Sequence, residues 1–290
     1  MFSYVPLERR ISADHSLRKI RLLLDGALKQ LEPMFGQMYS ERGRPSIAPE
    51  RLVRAQLLSA VVAQAKEQGL LSDEHFTVDG TLIQAWANRR SFQEKSDPPD
   101  RGTGARGRKL LRDTHESTTD PEARLYRKSA SGAAVPSYLG HLIPENRNGL
   151  IVAAMATQAG TTAEREAALL MLPELKRKGR ITLGADKSYQ EEKFVNALRQ
   201  NGVRPHIAEY APNRQWPNWL TEQERSDPGM VLSQRKRKLV EKPFGWMKQD
   251  RAMRQVKLRG LKRVDWLFRI CAAAHNLLRL SKLIPIPAAA

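Results

Sequence analysis

A single cysteine, Cys271, stands in 290 residues, which excludes a disulfide framework and any cysteine-ligated zinc site. Its neighbours Ala272, Ala273 and Ala274 suit a thiol packed in a helix. Six histidines are scattered at 15, 75, 115, 141, 206 and 275, no two of them at helical i, i+4 spacing, so zinc is not expected. Each reads as a satisfied core or surface histidine, with His75 and His141 near a sheet edge. Long apolar runs are also missing. The opening MFSYVPLERRISADHS lacks the apolar stretch of a signal peptide, and Trp266 to Ile286 is interrupted by Arg269, His275, Arg279 and Lys282. A cytoplasmic protein without a membrane span is the expectation.

What is abundant is positive charge. Lys and Arg number 49 against 31 Asp and Glu, a net of +18, which argues for a polyanionic partner. From Arg235 to Arg263 there are twelve basic residues and two acids, 12 − 2 = +10, among them Arg235, Arg237, Lys238, Lys248, Arg254, Lys257 and Arg259. A solvated helix face would read the same way on its own. Wrapped around a glutamate, the tract looks like a phosphate-binding track.

Three acids carry the chemistry. Asp79 follows the strand-like run His75-Phe76-Thr77-Val78 and precedes Gly80-Thr81-Leu82-Ile83. A carboxylate in a strand covered on both faces calls for a metal, a basic partner or an exposed strand end; the competing reading is a hairpin turn at Asp79-Gly80. Asp186 closes the apolar run Ile181 to Ala185, and Ser188-x-x-Glu191 predicts a capping box opening a helix through Phe194, Val195 and Leu198. That places Asp186 at the carboxyl end of a strand, where open sheets bind ligands, unless it merely caps the helix. Glu241 lies where Val240, Phe244 and Met247 recur at helical spacing. On one continuous helix Arg237 and Lys248 would fall within about 40° of it. An Arg237–Glu241 ion pair is the alternative, and a helix starting near Pro243 would take Arg237 off that face.

A hydrophobic content of 41% is enough for a core of one large or two ordinary domains. Residues 13 to 37 and 49 to 69 read as helices split by Gly43-Arg44-Pro45, with Leu17, Ile20, Leu24, Leu28 and Leu31 at helical spacing. A polar, Gly/Pro/Arg-rich stretch at 88 to 135 reads as a long irregular insertion. Tyr138 to Ile143 and Leu150 to Thr157 form strands joined through an Asn148-Gly149 turn. A helix from about Thr162 to Lys176 follows, with Thr161-x-x-Glu164 as its capping box, then the Asp186 strand, a helix to Gln200, a strand at Val203 to Ala208 and a last helix at Val264 to Leu280. The order is three strands, then helix, strand, helix, strand, helix. It suits an α/β fold with a mixed sheet.

VDGTLI, LGADKSY and the R-x-x-x-E-x-x-x-x-x-x-K segment Arg237, Glu241, Lys248 resemble, in the right order, the three acidic motifs of the DDE-type transposases of bacterial insertion sequences, from about Pro45 to Leu283. The resemblance implies a ribonuclease H-like core at 73–283 behind a small helical N-terminal region at 1–72, with 284–290 as a tail. It implies Asp79, Asp186 and Glu241 as catalytic residues and ligands of two Mg²⁺ (or Mn²⁺) ions. Element ends and target DNA would be the partners, in a homodimer or larger assembly. Gln234 stands where broader members place a tyrosine, three residues before the motif arginine. The segments resembling Arg44 to Leu52 and Ala63 to Leu71 are nearly fused across Leu57 to Val62, which reads as an internal deletion and makes this a decayed copy. The alternatives are a non-catalytic DNA-binding remnant and a metal-dependent nuclease on the same core.

Overall fold

The computed structural model describes residues 11–12, 15–38, 49–95, 114–127, 132–175, 179–211, 217–249 and 252–284. The Gly43-Arg44-Pro45 punctuation, much of the 88 to 135 insertion and the tail from 285 lie outside them. Two helices come first, α1 (Ser16–Met38) and α2 (Pro49–Glu67). The inferred junction at Leu57 to Val62 falls inside α2, one continuous helix that packs on α1.

Nine strands follow among the described residues. β1 (His75–Thr77) and β2 (Asp79–Gln84) are separated only by Val78. β3 (Phe92–Glu94) and β4 (His115–Ser117) make a small antiparallel pair, and β5 (Arg124–Tyr126) pairs with the start of β6 (Val135–Pro144). The insertion therefore contains short strands that its lack of periodicity did not announce. β7 (Ile151–Gln158) returns along β6 through the predicted Asn148-Gly149 turn, where Gly149 adopts a φ of 70°. Inside that turn the Glu145 carboxylate accepts from the backbone N–H groups of Arg147, Asn148 and Leu150.

The rest of the chain alternates: α3 (Ala163–Met171), β8 (Ile181–Ala185), α4 (Glu192–Gln200), β9 (Val203–Ile207), then α5 (Glu222–Arg225), α6 (Pro228–Arg237), α7 (Glu241–Gln249) and α8 (Leu261–Leu283). β2, β6 and β7 are antiparallel neighbours, whereas β1, β8 and β9 run parallel. Because only Val78 separates β1 from β2 and a Phe76–Glu145 bridge carries the β6 pairing past it, the order across the sheet is β7, β6, β1/β2, β8, β9. This is the mixed, ribonuclease H-like α/β arrangement expected from the sequence. Parallel strands need crossovers, and α3 and α4 supply them.

Apolar residues on both faces of the sheet bury against helices. One core joins Ile83, Tyr138, Leu142 and Ala154 to α1, α2, α7 and α8; the other joins Phe76, Val78, Ile143, Leu183 and Ile207 to α3 and α4. α8 lies close on β6 because Gly140 has no side chain: a Cβ there would meet Phe268 at 2.6 Å. Its Asn276 accepts from Ile151 N–H and donates to Ile151 C=O, pinning the helix to β7. Among the described residues no helix is long and apolar enough to cross a membrane.

Candidate active site

The first two acids follow strands that pair with each other. Thr77 registers with Gly184, and Val78 N–H donates to Gly184 C=O at 2.9 Å. Asp79 and Asp186 thus follow closely on the carboxyl ends of the neighbouring parallel strands β1 and β8. Both are half-buried. Asp79 opens β2 and starts no hairpin; its Oδ1 accepts from Gly80 N–H at 2.8 Å.

Asp186 corrects one expectation. Its Oδ1 accepts from Ser188 N–H (2.8 Å) and Ser188 Oγ–H (2.5 Å), capping a 3₁₀ turn at Lys187–Tyr189. With its hydroxyl committed to Asp186, Ser188 caps no helix. Glu191 does so for α4, accepting from Phe194 N–H at 3.2 Å. The turn drives Tyr189 under the acids, where it is fully buried and its hydroxyl has no hydrogen-bond partner. Burial, then the charges of Glu164, Asp79 and Asp186, push this phenol well above the usual tyrosine range, and Arg165 opposes them.

Glu241 arrives on a restarted helix. α6 ends at Arg237, a 3₁₀ turn at Lys238–Val240 intervenes, and Glu241 begins α7 with Pro243 in its first turn, where proline is tolerated. Arg237 accordingly leaves the glutamate's face, and its Nε donates to Gln234 Oε1 at 3.2 Å. Two turns beyond Glu241, Lys248 Nζ donates to Thr81 Oγ1 at 2.6 Å, tying α7 to the strand that Asp79 opens. α6 is held in turn by Asp227, its N-cap, which pairs with Arg204 of β9, and by a 2.6 Å bond between His206 Nδ1 and Ser233 Oγ.

Three residues near the acids make contacts that the sequence reading did not assign them. Gln234, in place of the family tyrosine, donates from Nε2 to Ala185 C=O (3.1 Å) and His206 C=O (2.6 Å), clamping α6 over the strand ends beside Asp186. Tyr189 is the second. The third is Glu164, expected to close a capping box with Thr161. The helix instead starts one residue later, at an N-cap Thr162 whose side chain makes no capping bond, and Glu164 turns toward Gly80. The signal for Gln234 was its offset from Arg237; for the other two, only the fold brings them near.

Of the predicted basic residues, Arg235, Lys238, Arg254, Lys257 and Arg259 are exposed, while Arg237 and Lys248 are half-buried. The tract approaches the acidic strand again at its far end, where Val256 N–H donates to Gln84 C=O and Gln84 N–H to Arg254 C=O. A groove of about 680 Å³ opens there between Arg89, Arg259, Gln255 and the exposed Trp86.

Among the described residues no three His, Cys, Asp or Glu side chains converge closely enough to hold an ion by themselves. The donors nonetheless fit Mg²⁺ or Mn²⁺. Hard divalent ions of this size take one or two carboxylates and complete the shell with water and substrate phosphates. Asp79 and Asp186 supply such a pair, beside a buried hydroxyl still lacking a partner.

The sequence matches the family described as "Transposase DDE domain" over residues 71–277 and the one described as "Transposase domain (DUF772)" over 5–70. No match is found among curated proteins. Similar solved structures include a piggyBac transposase synaptic complex with hairpin DNA (10% identity, 81% of this chain, 55% of that chain, TM-score 0.36). The simian T-cell lymphotropic virus intasome with PP2A regulatory subunit B56 gamma is another (12% identity, 76% and 52% covered, TM-score 0.30). So is the Mos1 strand transfer complex (12% identity, 97% and 78% covered, TM-score 0.28). The chain spans about half the length of the first two. Likeness at this level adds nothing to the family match, which by itself covers more than half of the sequence: this chain belongs to the DDE transposase family, whose members are DNA transposases.

Proposed function

We propose that the chain cleaves the ends of a DNA element and joins them to target DNA, with Asp79, Asp186 and Glu241 as the acidic triad. The observation that supports this reading is the parallel pairing of β1 with β8, which runs to Thr77–Gly184, two residues before Asp79 and Asp186. Asp79, Asp186 and Glu241 would hold two divalent ions, Mg²⁺ or Mn²⁺. Two such ions, when bound, activate a water and stabilise the leaving 3′ oxygen in an in-line displacement.

The protein's own part is to position and neutralise. Lys248, fixed on Thr81, keeps a positive charge beside the Asp79 strand. Exposed Arg235, Lys238, Arg254, Lys257 and Arg259 would contact phosphates, which orients the duplex without reading its sequence. Arg237 would act through Gln234, holding α6 in place. Positioning carries most of the rate in such transfers. The family boundary between 70 and 71 supports a helical N-terminal region at 1–72 and a catalytic domain at 73–283. Two ends must be held together, so the active form would be a homodimer or larger assembly.

The test is cleavage of a labelled duplex carrying the element's own ends, with Mg²⁺, by the chain and by Asp79→Asn, Asp186→Asn and Glu241→Gln. Each variant should lose more than about 100-fold, above the usual cost of changing an outer-sphere partner. Equal cleavage by all three would refute the assignment. Strand scission without joining would move the reading to a nuclease.

A further inference from the structure

Trp86 is the most exposed tryptophan among the described residues, with a relative exposure of 44%, yet the backbone that carries it is fixed. On one side Ala85 N–H donates to Pro136 C=O at 2.9 Å, closing the end of β2. On the other, Asn88 Oδ1 accepts from Arg90 N–H at 3.0 Å and caps the 3₁₀ turn Arg89–Ser91. The indole is held in solvent by backbone anchored within two residues in either direction.

The segment that brings Arg259 beside it is equally set. Val256 N–H donates to Gln84 C=O (2.9 Å), Gly260 N–H to Oδ1 of the buried Asp120 (3.1 Å) and Leu261 N–H to Glu122 Oε2 (2.8 Å), so the backbone is tied before and after Arg259. The groove of about 680 Å³ is lined by Trp86, Pro136, Gln255 and the exposed Arg89 and Arg259. Its volume falls within the roughly 300–1,000 Å³ of pockets that take small ligands. A site assembled before its ligand arrives loses little in ordering it.

A lone exposed apolar side chain is ordinary, and an exposed arginine more so. Here an indole and two guanidinium groups line one concavity, the combination that recognises an unpaired nucleotide: a π-face for the base and cations for the phosphates. A duplex keeps its bases stacked inside. Side chains that wedge into a duplex protrude, whereas an aromatic lining a groove meets a base only when that base has left the stack. Arg254 and Lys257, exposed on the segment that carries Arg259, extend the positive charge.

We propose that this groove is a separate site for single-stranded DNA, in which Trp86 stacks on an unpaired base while Arg89 and Arg259 pair with the phosphates on either side. The inference rests on the reading of the chain as an enzyme acting on DNA and adds to it a place for a strand that has left the duplex. Trp86 stands seven residues beyond Asp79 along β2, and at about 3.3 Å per residue the two are about 20 Å apart. That is the length of roughly six stacked nucleotides. A duplex at the acids and an unpaired strand in the groove are therefore close enough to belong to one substrate.

The experiment measures binding of the full chain to labelled oligothymidylate of about 12 nucleotides, within the usual site sizes for single strands, and to a duplex of the same length, by fluorescence anisotropy in EDTA. Trp86→Ala should weaken binding of the single strand about 10-fold and of the duplex less than about 2-fold, while Trp86→Phe, which keeps a ring, retains most of the single-strand affinity. Arg89→Ala should weaken it too and flatten its log K against log salt slope by about 0.7. Wild-type single-strand affinity in Trp86→Ala, with salt-sensitive duplex binding intact, would overturn the groove and leave the DNA reading standing. Equal losses on strand and duplex would also overturn it, and so would binding of oligouridylate but not oligothymidylate, which would assign the groove to RNA. Failure of the wild-type chain to bind either DNA would overturn both readings. Should Trp86→Ala melt below wild type, Trp86→Leu, apolar but without a ring, is judged by the same criterion.

Discussion

Lys248 and Thr81 meet at 2.6 Å across 167 residues of sequence, the ammonium of α7 donating to the hydroxyl of β2. The contact makes the third acidic motif dependent on the first: α7 carries Glu241 at its start and Lys248 near its end, and β2 opens with Asp79. Thr81 is buried, so its loss removes a short hydrogen bond from a half-buried ammonium. Thr81→Val should lower the unfolding free energy by about 1–3 kcal/mol. Lys248→Met removes the charge and should weaken end cleavage more than it weakens folding. Urea titration and a cleavage assay on the same two variants separate these effects, and equal losses in both assays for Lys248→Met would contradict a role in cleavage.

DNA binding should be dominated by phosphates. With a +10 tract at Arg235 to Arg263, log K should fall with log salt at about −0.9 per phosphate neutralised, so roughly −5 or steeper for six contacts. Arg254, Lys257 and Arg259 are exposed, and reversing their charge should flatten the slope without lowering the melting temperature. Affinity indifferent to salt would exclude this mode.

The clamp by Gln234 is testable through stability. Its side-chain amide satisfies two backbone carbonyls, those of Ala185 and His206, at the strand ends next to Asp186. Gln234→Leu keeps the bulk and takes one donor from each carbonyl, of which Ala185 C=O keeps Ala208 N–H, so a loss of about 1–2 kcal/mol is expected in chemical denaturation. No change in the denaturation midpoint would show that water replaces the amide.

These cases mark what could be read from residue order. The Asp79 and Asp186 strands, the Asn148-Gly149 turn and the helices around residues 16 to 38, 49 to 67 and 261 to 283 were legible because periodicity and turn chemistry are local signals. The break between α6 and α7 was foreshadowed by Pro243 alone. Two capping boxes were misread for different reasons: after Asp186 a 3₁₀ turn intervenes and α4 starts at an N-cap Glu191, while α3 starts a residue late at Thr162, whose side chain makes no capping bond. Glu164 over Gly80, Gln234 on two strand ends and Tyr189 beneath the acids depend on contacts across tens of residues, which no local pattern encodes.

Acid should destabilise the fold through His141. This residue is fully buried in β6, its Nε2 bonded to Thr157 Oγ1 at 2.8 Å, and burial drops its pKa to about 3. A histidine depressed below its unfolded value of 6.5 contributes stability that is complete above 6.5. That stability is lost as pH falls toward 3, at up to about 1.4 kcal/mol per pH unit. Denaturation midpoints measured from pH 7 to pH 4 should therefore decline, and His141→Leu should decline less steeply. Parallel profiles for the two proteins would assign the acid sensitivity elsewhere.

The near fusion of two family-like segments across Leu57 to Val62 bears on which activities survive together. The junction sits in the middle of α2, and Leu57, Leu58, Ala60 and Val61 are all buried there, packed into the same core as α8. A deletion at this point therefore leaves a continuous, well-seated helix, and the catalytic sheet keeps its cover. Metal binding and non-specific DNA affinity need only that core, whereas transposition needs two ends in one assembly. If surface for assembly went with the missing helices, the properties separate: Mn²⁺ binding and salt-sensitive DNA binding persist, and strand transfer on the element's own ends is weak or lost. Cleavage and joining by this chain, measured beside a version with the helices restored from a close relative, decide the matter. Robust joining by the unmodified chain would show that the removed segment is dispensable and that this copy is intact in function.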